Sequence, residues 1–346
     1  MEKQSSTRVL LFSSLRDFMR RSIFCILMAG PIPNHIAFIM DGNRRFAKKR
    51  HMVVGDGHKA GFESLITILN YCYQLGVKYV TVYAFSIENF KRKPEEVQQL
   101  MDLMVDKIDE LLEGSFLSKY GIRLYFIGNL GLLGERVRLA AEKAMKATAG
   151  NSRAVLLICV AYTSYDEIVH AVEESCREKL NCTEQITESF NSPTENGHCL
   201  DEYGGKKLTQ KENGYMSHSL EEFRESHSCE IEEATSLVCN GGTERSGDAR
   251  LILRTSDITE DREKCPVIKL VDIERHMYMA VAPDPDILIR SSGETRLSNF
   301  LLWQTTFSPL SSPAVLWPEI GLWQLAWAVL GYQRNYSYIQ KKRKQA

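Results

Sequence analysis

The sequence contains no long apolar run, no excess of either charge and no paired-cysteine motif, and each absence excludes a class of protein. No stretch approaches the roughly 18 uninterrupted apolar residues of a membrane-spanning helix. The 43 basic and 44 acidic residues nearly cancel, so the chain as a whole is not built to coat nucleic acid. Its nine cysteines are odd in number and show no CxxC or zinc-ligand spacing. They are therefore expected to be free thiols in a reducing cytosolic setting.

What is present is a regular alternation of two patterns, in a chain long enough to bury a substantial core. Short β-branched and aromatic runs predict strands at His35–Met40, Lys78–Phe85, Ile122–Ile127, Val155–Ala161 and Asp286–Arg290. Helical periodicity predicts helices at Gly61–Leu75, Pro94–Leu112, Glu135–Ala149, Ser164–Lys179, Ile268–Ala280 and Glu319–Leu330. Strands separated by helices indicate an α/β fold with a mainly parallel central sheet flanked by helices.

The first 30 residues carry a basic amphipathic pattern of their own. The apolar positions are Leu11, Leu15, Phe18, Met19, Phe24 and Leu27, and the basic ones are Arg8, Arg16, Arg20 and Arg21. Such a helix is suited to lying in a bilayer interface, and equally to packing on the domain or on a partner; both can hold. A signal peptide is disfavoured, because cleavage near Gly30 would fall only a few residues before a charged motif at Asp41.

Residues from about 181 to 264 break the alternation. They are rich in Ser, Thr, Asn, Gly, Glu and His and show no sustained periodicity. Such a composition buries too little apolar area to offset the entropy lost on ordering. We therefore predict a disordered polar insertion within a single domain that spans residues 31–346, rather than a second folded domain.

A charged loop follows the first predicted strand, at the edge of the sheet where α/β proteins place their ligands. It begins Asp41-Gly42-Asn43-Arg44-Arg45-Phe46. A carboxylate beside a glycine, followed by arginines, can hold a divalent cation and a diphosphate together. Taken alone, the same residues fit a tight Asp-Gly turn with a solvated basic helix start equally well.

Three further segments favour the ligand site. Gly57–Gly61 places His58 at a predicted helix start, where free backbone N–H groups attract anions. Tyr83–Arg92 offers hydroxyl, amide and guanidinium groups where the second strand ends. Pro283–Phe300 contains Arg290 and Arg296 with serines between them, a spacing that suits a second diphosphate.

Together, these segments resemble the signature blocks of the cis-prenyltransferases, which include the undecaprenyl and dehydrodolichyl diphosphate synthases. The blocks are Asp-Gly-Asn-Arg-Arg, Gly-His-x-x-Gly, Tyr-Ala-Phe-Ser-x-Glu-Asn and Ile-Arg-x-x-Gly-Glu-x-Arg-x-Ser-Asn-Phe-Leu-Leu-Trp-Gln. They stand in the family's order and span Pro31–Lys179 and Val267–Gln340, and the form of the first block and Val315–Glu319 look eukaryotic. The resemblance implies the undecaprenyl-diphosphate-synthase type of fold. It also implies condensation of isopentenyl diphosphate with farnesyl or another allylic diphosphate, giving a long polyprenyl diphosphate, the dolichol precursor.

The resemblance also assigns roles to matching positions. Asp41 corresponds to the aspartate that works with Mg²⁺ on the allylic diphosphate, and His58 to a residue that aids its departure. Ser86 and Asn89 correspond to residues near the reacting carbons, and Asn89 to one implicated in proton removal. Diphosphate-binding roles fall to Gly42, Asn43, Arg44, Arg45 and Phe46 for the allylic substrate and to Arg92, Arg290, Arg296 and Ser298 for isopentenyl diphosphate.

Two positions depart from the bacterial family pattern. Pro309 stands near the place of a metal-binding glutamate, and Glu294, which remains nearby, is not assigned to metal. An Arg-x-Gly motif that completes the site across the dimer is missing from Gly331–Gln340. In eukaryotic relatives a Nogo-B-receptor-like subunit supplies that motif. The resemblance therefore implies a heteromer with this chain as catalytic subunit, bound peripherally to the cytosolic face of the endoplasmic reticulum membrane.

Alternatives remain open at this point. The chain could be a homomeric cis-prenyltransferase that makes shorter, specialised polyprenols, or a non-catalytic scaffold subunit. A trans-type synthase is disfavoured because paired Asp-Asp-x-x-Asp clusters are absent. The four tryptophans, Trp303, Trp317, Trp323 and Trp327, fit core packing or a subunit interface. For Lys341–Lys344 we expect a frayed, solvated tail, with contact to anionic lipid as the alternative.

Overall fold

The computed structural model of the protein describes residues 17–191 and 267–345, with side chains up to residue 181 in the first range. Residues 17–185 and 267–345 belong to one compact unit. Residues 186–265 are a second unit, of which only the end of one helix is described. Most of the predicted polar insertion, and the first 16 residues of the predicted amphipathic segment, lie outside the described residues.

Six parallel strands form the central sheet of the described part. They are β1 His35–Ile39, β2 Tyr79–Ser86, β3 Ile122–Ile127, β4 Ala154–Tyr162, β5 Ile287–Arg290 and β6 Leu310–Ser311. Their order is β3-β4-β2-β1-β5-β6, and every neighbouring pair is parallel. The predicted α/β fold with a mainly parallel sheet is confirmed. β6 was not predicted, because a two-residue edge strand is too short to show a pattern.

The two faces of the sheet pack against separate apolar clusters, which explains why the strands read as unbroken apolar runs. In β1, Ile36 and Phe38 belong to the larger cluster, and Ala37 and Ile39 to the smaller one. All five residues of β1 are buried. Strands covered on both faces by helices have this composition.

Nine α-helices are present in the described residues. They are α1 (residues 17–28), α2 Asn43–Lys49, α3 Val54–Gln74, α4 Pro94–Glu113, α5 Phe116–Tyr120, α6 Glu135–Ala147, α7 Ser164–Asn191, α8 Leu270–His276 and α9 Leu322–Arg343. Short 3₁₀ turns lie at Ile87–Lys91, Leu130–Leu132, Tyr278–Val281 and Trp317–Glu319. Within the described part, no helix combines the length and the hydropathy needed to cross a bilayer.

Several predicted helix bounds were wrong, each for a local reason. Met277 has an extended backbone, so the helix predicted to reach Ala280 ends at His276. The 3₁₀ turn Trp317–Glu319 contains a proline and delays α9 to Leu322. α7 continues to Asn191, so its last eleven residues lie in the segment predicted to be disordered.

Two further differences concern charged segments. The predicted loop Asp41–Arg45 is a helix from Asn43 onward, which is α2. The predicted frayed tail at Lys341–Lys344 was also wrong, because α9 extends to Arg343. The Arg343 guanidinium donates hydrogen bonds to Asp286 Oδ1 at 2.7 Å and to the Pro285 carbonyl at 2.8 Å, which fixes the last turn of the helix.

α1 packs on this unit by one face only. Phe24 and Leu27 are buried in the larger cluster, and the Phe24 ring meets Tyr71 of α3 edge to face at 6.2 Å. The opposite face leaves Phe18 67% and Ile26 62% exposed. The helix therefore both packs on the domain and keeps an apolar surface in contact with solvent.

Candidate active site

The predicted site residues gather at the carboxyl ends of β1, β2 and β5. Asp41 lies two residues beyond β1, Ser86 is the last residue of β2, and Arg290 is the last residue of β5. β1 is hydrogen-bonded between β2 and β5, so these three side chains leave neighbouring strands at one edge of the sheet. Ligands of open α/β sheets bind at this edge.

The backbone at Asp41 is clamped before the carboxylate is considered. The Asp41 carbonyl accepts hydrogen bonds from Ser291 Oγ at 2.6 Å, Ser292 Oγ at 2.8 Å and the Trp317 N–H at 3.0 Å. Gly42 then turns the chain into α2 with φ of 116°, a conformation that costs little only for glycine. A side chain at Gly42 would also meet Ser292 and Leu316. The Asp-Gly pair therefore fixes the direction of α2.

The Asp41 carboxylate lies between two arginines. Its Oδ1 accepts from Arg45 at 2.9 Å and its Oδ2 from Arg290 at 2.9 Å. Burial by itself raises the pKa of Asp41, but the hydrogen bonds from Arg290 and Arg45 outweigh it and lower the pKa below its ordinary value. The carboxylate is therefore ionised at neutral pH.

Arg290, predicted to bind isopentenyl diphosphate, also connects that set of residues with Asp41 of the allylic set. It is buried, and besides Asp41 it donates to Ser298 Oγ at 2.7 Å and to the Arg296 carbonyl. Its Nε lacks a hydrogen-bond partner among the described residues. Arg290 thus holds the loop that carries Arg296 and Ser298 against Asp41.

His58 was predicted at a helix start, and this was wrong. α3 begins at Val54, so His58 is its fifth residue and lies beyond the free N–H groups of the first turn. Burial, followed by the charge of Arg92, lowers the pKa of His58 to about 4, so the imidazole is neutral at neutral pH. Its Nε2 is buried without a hydrogen-bond partner in the described part of the chain.

Gly61 explains the second glycine of the Gly-His-x-x-Gly block. A side chain there would collide with the Asn43 amide and with Trp317. Because Gly61 has none, α3 approaches the start of α2, and Trp317 Nε1 donates to the Gly61 carbonyl at 2.8 Å. Asn43 Oδ1, on α2, is buried without a hydrogen-bond partner among the described residues, as is Nε2 of His58 on α3.

Two glutamates that the sequence interpretation did not assign hold the remaining arginines. Glu96 of α4 lies 2.9 Å from Arg92 and 3.6 Å from Arg44. Glu294 pairs with Arg296 and lies 3.9 Å from Arg45. These pairs are partly exposed, so each contributes little to folding stability. They keep the guanidinium groups around one cleft.

Two cavities meet at this site. A polar cleft of about 580 Å³ is lined by Met40, Asp41, Gly42, Asn43, Arg44, Arg45, Lys48, His58, Arg92, Glu294 and Arg296. An apolar cavity of about 150 Å³ lies between α3, α4 and the sheet, lined by residues that include Phe62, Leu65, Leu69, Val82, Phe85, Leu100, Met104 and Ile158. Met40, Asn43 and His58 line both. The site can therefore take an amphiphile with an anionic head and an apolar tail.

Five predicted residues do not line either cavity. Arg290 donates a hydrogen bond to Ser298 and contacts the cleft through the Asp41 carboxylate. Phe46 lies on α2, and the Arg50 guanidinium lies over its ring. Ser86 and Asn89 form a capping box: Ser86 Oγ accepts from the Glu88 N–H, and Asn89 Oδ1 accepts from the Ser86 N–H at 3.1 Å. Their predicted roles at the reacting carbons remain predictions.

Lys48 is the cationic side chain of the cleft that the sequence did not lead us to assign. It follows Arg44 by four positions and Arg45 by three, so the three cations share one side of α2. The signal was present in the sequence, but it needs the segment to be read as a helix rather than a loop. No carboxylate within the described residues forms an ion pair with Lys48, unlike Arg44 and Arg45.

No cluster of three or more His, Cys, Asp or Glu side chains suited to a metal ion occurs in the described ranges. The carboxylates at the polar cleft are Asp41 and Glu294. Magnesium is commonly held by one or two carboxylates together with substrate phosphates, rather than by a cage made of protein alone. The donor set at the cleft fits that mode of binding.

Comparison with known proteins places this arrangement in a family. The undecaprenyl diphosphate synthase (Prenyltransf) family matches residues 39–339. The chain is 52% identical over 336 residues to dehydrodolichyl diphosphate synthase 6 of Arabidopsis thaliana, covering 97% of this chain and 94% of that protein. It is 37% identical over 324 residues to the dehydrodolichyl diphosphate synthase complex subunit DHDDS of Homo sapiens, covering 92% of this chain and 73% of that protein.

A solved structure is similar as well. The crystal structure of lavandulyl diphosphate synthase from Lavandula x intermedia, in complex with dimethylallyl diphosphate, matches with a TM-score of 0.57 and 26% identity, covering 87% of this chain and 95% of that chain. With the family match and the sequence relatives, it shows that this chain belongs to the undecaprenyl diphosphate synthase family and is a cis-prenyltransferase.

Proposed function

We propose that this chain condenses successive isopentenyl diphosphates onto farnesyl diphosphate, or a longer allylic diphosphate, to make a long polyprenyl diphosphate that serves as dolichol precursor. The observation that carries this proposal is the junction of the two cavities at Met40, Asn43 and His58. A diphosphate in the polar cleft would leave its prenyl chain in the apolar cavity. The names of the relatives support the same activity.

The charges of the cleft suit two diphosphates. Five cationic side chains line it against two carboxylates: Arg44, Arg45, Lys48, Arg92 and Arg296 against Asp41 and Glu294. Arginines bind phosphate oxygens through paired N–H donors. We assign the allylic diphosphate to the α2 side of the cleft and isopentenyl diphosphate to the Arg92 and Arg296 side, where Arg290 holds the loop.

The reaction breaks the bond between the allylic carbon and its diphosphate oxygen and forms a carbon–carbon bond to isopentenyl diphosphate, which loses a proton. The guanidinium groups of α2 stabilise the charge that grows on the leaving diphosphate. His58 is neutral before substrate binds, and a neighbouring diphosphate raises the pKa of an imidazole. It is therefore placed to donate a hydrogen bond to the leaving group from the cavity junction.

We propose Mg²⁺ as the cofactor, with Asp41 as its protein ligand. Bound with a diphosphate, the ion would supply Lewis-acid stabilisation of the leaving oxygens. Asp41 can turn to it at low cost, because one of its two arginine partners, Arg45, is half exposed. Arg290 stays behind as the buried partner that keeps the carboxylate ionised.

We further propose that the enzyme works as a heteromer with a Nogo-B-receptor-like subunit and contacts the endoplasmic reticulum membrane peripherally from the cytosolic side. The human relative is named as a subunit of a complex, which supports the first part. The apolar face that α1 leaves exposed and the apolar character of the product support the second.

The test is incorporation of labelled isopentenyl diphosphate onto farnesyl diphosphate by the purified chain, with and without the partner subunit and with and without Mg²⁺. Asp41→Ala serves as the inactive variant, and Asp109→Ala, an exposed carboxylate of α4 paired with Lys143 at 3.1 Å, serves as the matched control. We expect long products that require Mg²⁺, the partner and Asp41, and that the Asp109 variant still makes.

Each other outcome selects an alternative. Full activity without the partner overturns the heteromer and leaves a homomeric enzyme, and short products would assign it to specialised polyprenols. A folded chain that is inactive in every combination would instead be a scaffold subunit. The paired cationic sets around one cleft argue against that last case, because a scaffold has no use for them.

A further inference from the structure

α9 has an exposed face that packing does not explain. Its inner side, including Leu325, Val329 and Tyr332, is buried in the core. On the other side Trp323 is 56%, Trp327 67% and Tyr338 64% exposed. The two tryptophans are four residues apart and therefore lie on one side of the helix. Large aromatic side chains left this exposed mark an interaction surface.

The charges on the same helix all have one sign. α9 contains no acidic residue, and Arg334, Lys341 and Lys342 are exposed. In the described part of the chain none of these three lies within ion-pair distance of a carboxylate, whereas Arg343 is bound to Asp286. The Lys342 ammonium lies 6.0 Å over the Tyr338 ring. The face thus combines aromatic rings with unpaired positive charge.

This combination distinguishes a lipid surface from a protein partner. Protein interfaces are enriched in aromatic residues and arginine but depleted in lysine. Membrane interfaces select tryptophan and tyrosine at headgroup depth together with lysine and arginine, which attract anionic lipids. The positive charge of α9 is complementary to an anionic bilayer and has no counterpart on the helix itself.

α9 is also tied to the other exposed apolar helix. Gln333 Nε2 donates hydrogen bonds to the Leu27 carbonyl at 2.7 Å and to the Pro31 carbonyl at 3.2 Å. The end of α1 is therefore held on α9, and α1 exposes Phe18 and Ile26. Two helices with exposed apolar or aromatic side chains are fixed to each other through one side chain.

We propose that the exposed face of α9, formed by Trp323, Trp327, Arg334, Tyr338, Lys341 and Lys342, docks the protein on an anionic lipid surface. The inference rests on the peripheral membrane contact of the proposed function and assigns it to a second element besides the N-terminal segment. The tryptophans supply apolar area at the interface, and the basic side chains supply selectivity for anionic lipid.

The experiment measures binding of the full-length chain to vesicles of phosphatidylcholine alone or mixed with phosphatidylserine. The variants are Trp323→Ser with Trp327→Ser, and Lys341→Gln with Lys342→Gln. Leu139→Ser, which changes a side chain 52% exposed on α6, is the matched control. All four exposed residues lie outside the core, so the variants keep the fold, which thermal melting checks.

We expect the tryptophan pair to lose roughly tenfold or more of its vesicle binding, while the lysine pair loses a similar factor only with phosphatidylserine present. The Leu139 variant binds as the wild type does. Wild-type tryptophan fluorescence shifts to the blue on vesicles, and the shift is lost in the tryptophan pair. Prenyl transfer measured in detergent stays unchanged in both pairs.

Vesicle binding by the tryptophan pair equal to wild type would overturn the proposal. If that variant instead fails to co-purify with the partner subunit, the face is a protein interface. A wild-type chain that transfers prenyl groups in detergent yet ignores both vesicle types also overturns it, while the enzymatic assignment stands. Vesicle binding by a chain inactive in every assay would leave this surface and remove the enzymatic function.

Discussion

Asp41 and Asp286 each bind an arginine, and they lie at opposite ends of the adjacent strands β1 and β5. Asp41 follows β1 at the carboxyl edge and accepts from Arg290 at 2.9 Å. Asp286 precedes β5 at the amino edge and accepts from Arg343 at 2.7 Å. The residue types are the same. The first pair joins residues 249 positions apart along the chain and the second joins residues 57 positions apart.

The surroundings of the two pairs differ in whether the buried polar atoms have hydrogen-bond partners. Asp286 Oδ2 also accepts from the N–H groups of Asn34 and His35, and both ring nitrogens of His35 have partners in Pro283 and Thr81. Around Asp41, the Asn43 amide oxygen and His58 Nε2 are buried without partners in the described residues. The saturated end serves stability, and the open end serves a ligand.

Asp41→Asn tests this difference with the largest expected effect. The amide keeps the shape and can still accept from Arg290, but it loses the charge that the proposed Mg²⁺ and the allylic diphosphate require. We expect prenyl transfer to fall by about 10³-fold, much more than the loss of stability caused by leaving Arg290 without its charged partner can account for. Steady-state incorporation of labelled isopentenyl diphosphate and urea titration measure the two quantities on the same preparation.

Loss of stability with retained activity would contradict the assignment of the open end to catalysis. Asp41 would then be the counterpart of Asp286, holding Arg290 and the loop behind it. Ser298→Ala separates the cases, because it removes a contact of Arg290 without touching the carboxylate.

Asp286→Asn is expected to give the opposite result. It leaves Arg343 without its charged partner and weakens the acceptor for two backbone N–H groups. The expected cost is about 2–3 kcal/mol of unfolding free energy, at the lower end for a buried pair because Arg343 is 26% exposed. Activity per folded molecule should stay near wild type. A variant as stable as wild type would show that the amino edge is not saturated in solution.

The strands that frame both ends were predictable from the sequence, because buried parallel strands read as continuous apolar runs. α2 was not, since its seven residues bury only Ala47 and Gly42 starts it without a side-chain cap. A helix without an apolar stripe gives no periodic signal. For that reason Lys48 was not predicted as a site residue, although Arg44 and Arg45 on the same side of α2 were.

The sequence predicted most of the residues that line the site, but not the contacts between their side chains. Asp41, Arg44, Arg45, His58, Arg92 and Arg296 do line one cleft. The contacts that organise it, such as Arg290 to Ser298 and Glu96 to Arg92, depend on side-chain geometry that no local pattern encodes. The full length of α9 likewise depends on the Arg343–Asp286 pair, which joins segments distant along the chain.

His35 lies at the amino edge of the sheet and His58 at the carboxyl edge, and pH should affect the two edges differently. Burial is the main cause that lowers the pKa of His35 from 6.5 to about 4. The unfolded chain therefore takes up the proton first, so stability is full above pH 6.5 and falls as the pH drops towards 4. Each pH unit in that window should cost about 1.4 kcal/mol for His35. Replacing it, as in His35→Gln, should flatten the curve by that slope in urea titrations between pH 6.5 and 5.

His58 has a pKa lowered to about 4 as well, but its partner is missing. Inorganic diphosphate should therefore stabilise wild type more at pH 5.5 than at neutral pH, because a protonated imidazole at the cleft binds the anion better. His58→Gln should lose that difference, and His35→Gln should keep it. Equal behaviour of the two variants would remove the distinction between the open and the saturated end.

Lys48→Met should give the smallest effect, and it probes the open end most directly. Among the described cations of the cleft, Lys48 has no carboxylate partner, so its charge is available to a diphosphate without breaking an ion pair. Methionine keeps the length of the side chain and removes the charge. We expect the KM for the allylic diphosphate to rise about tenfold with kcat nearly unchanged, and the rise to shrink with added salt.

Lys143→Met, which changes an exposed lysine of α6, is the control and should leave both kinetic constants unchanged. A fall in kcat at constant KM would instead place Lys48 on the leaving group in the transition state, and no change in either constant would return it to the solvated surface of α2.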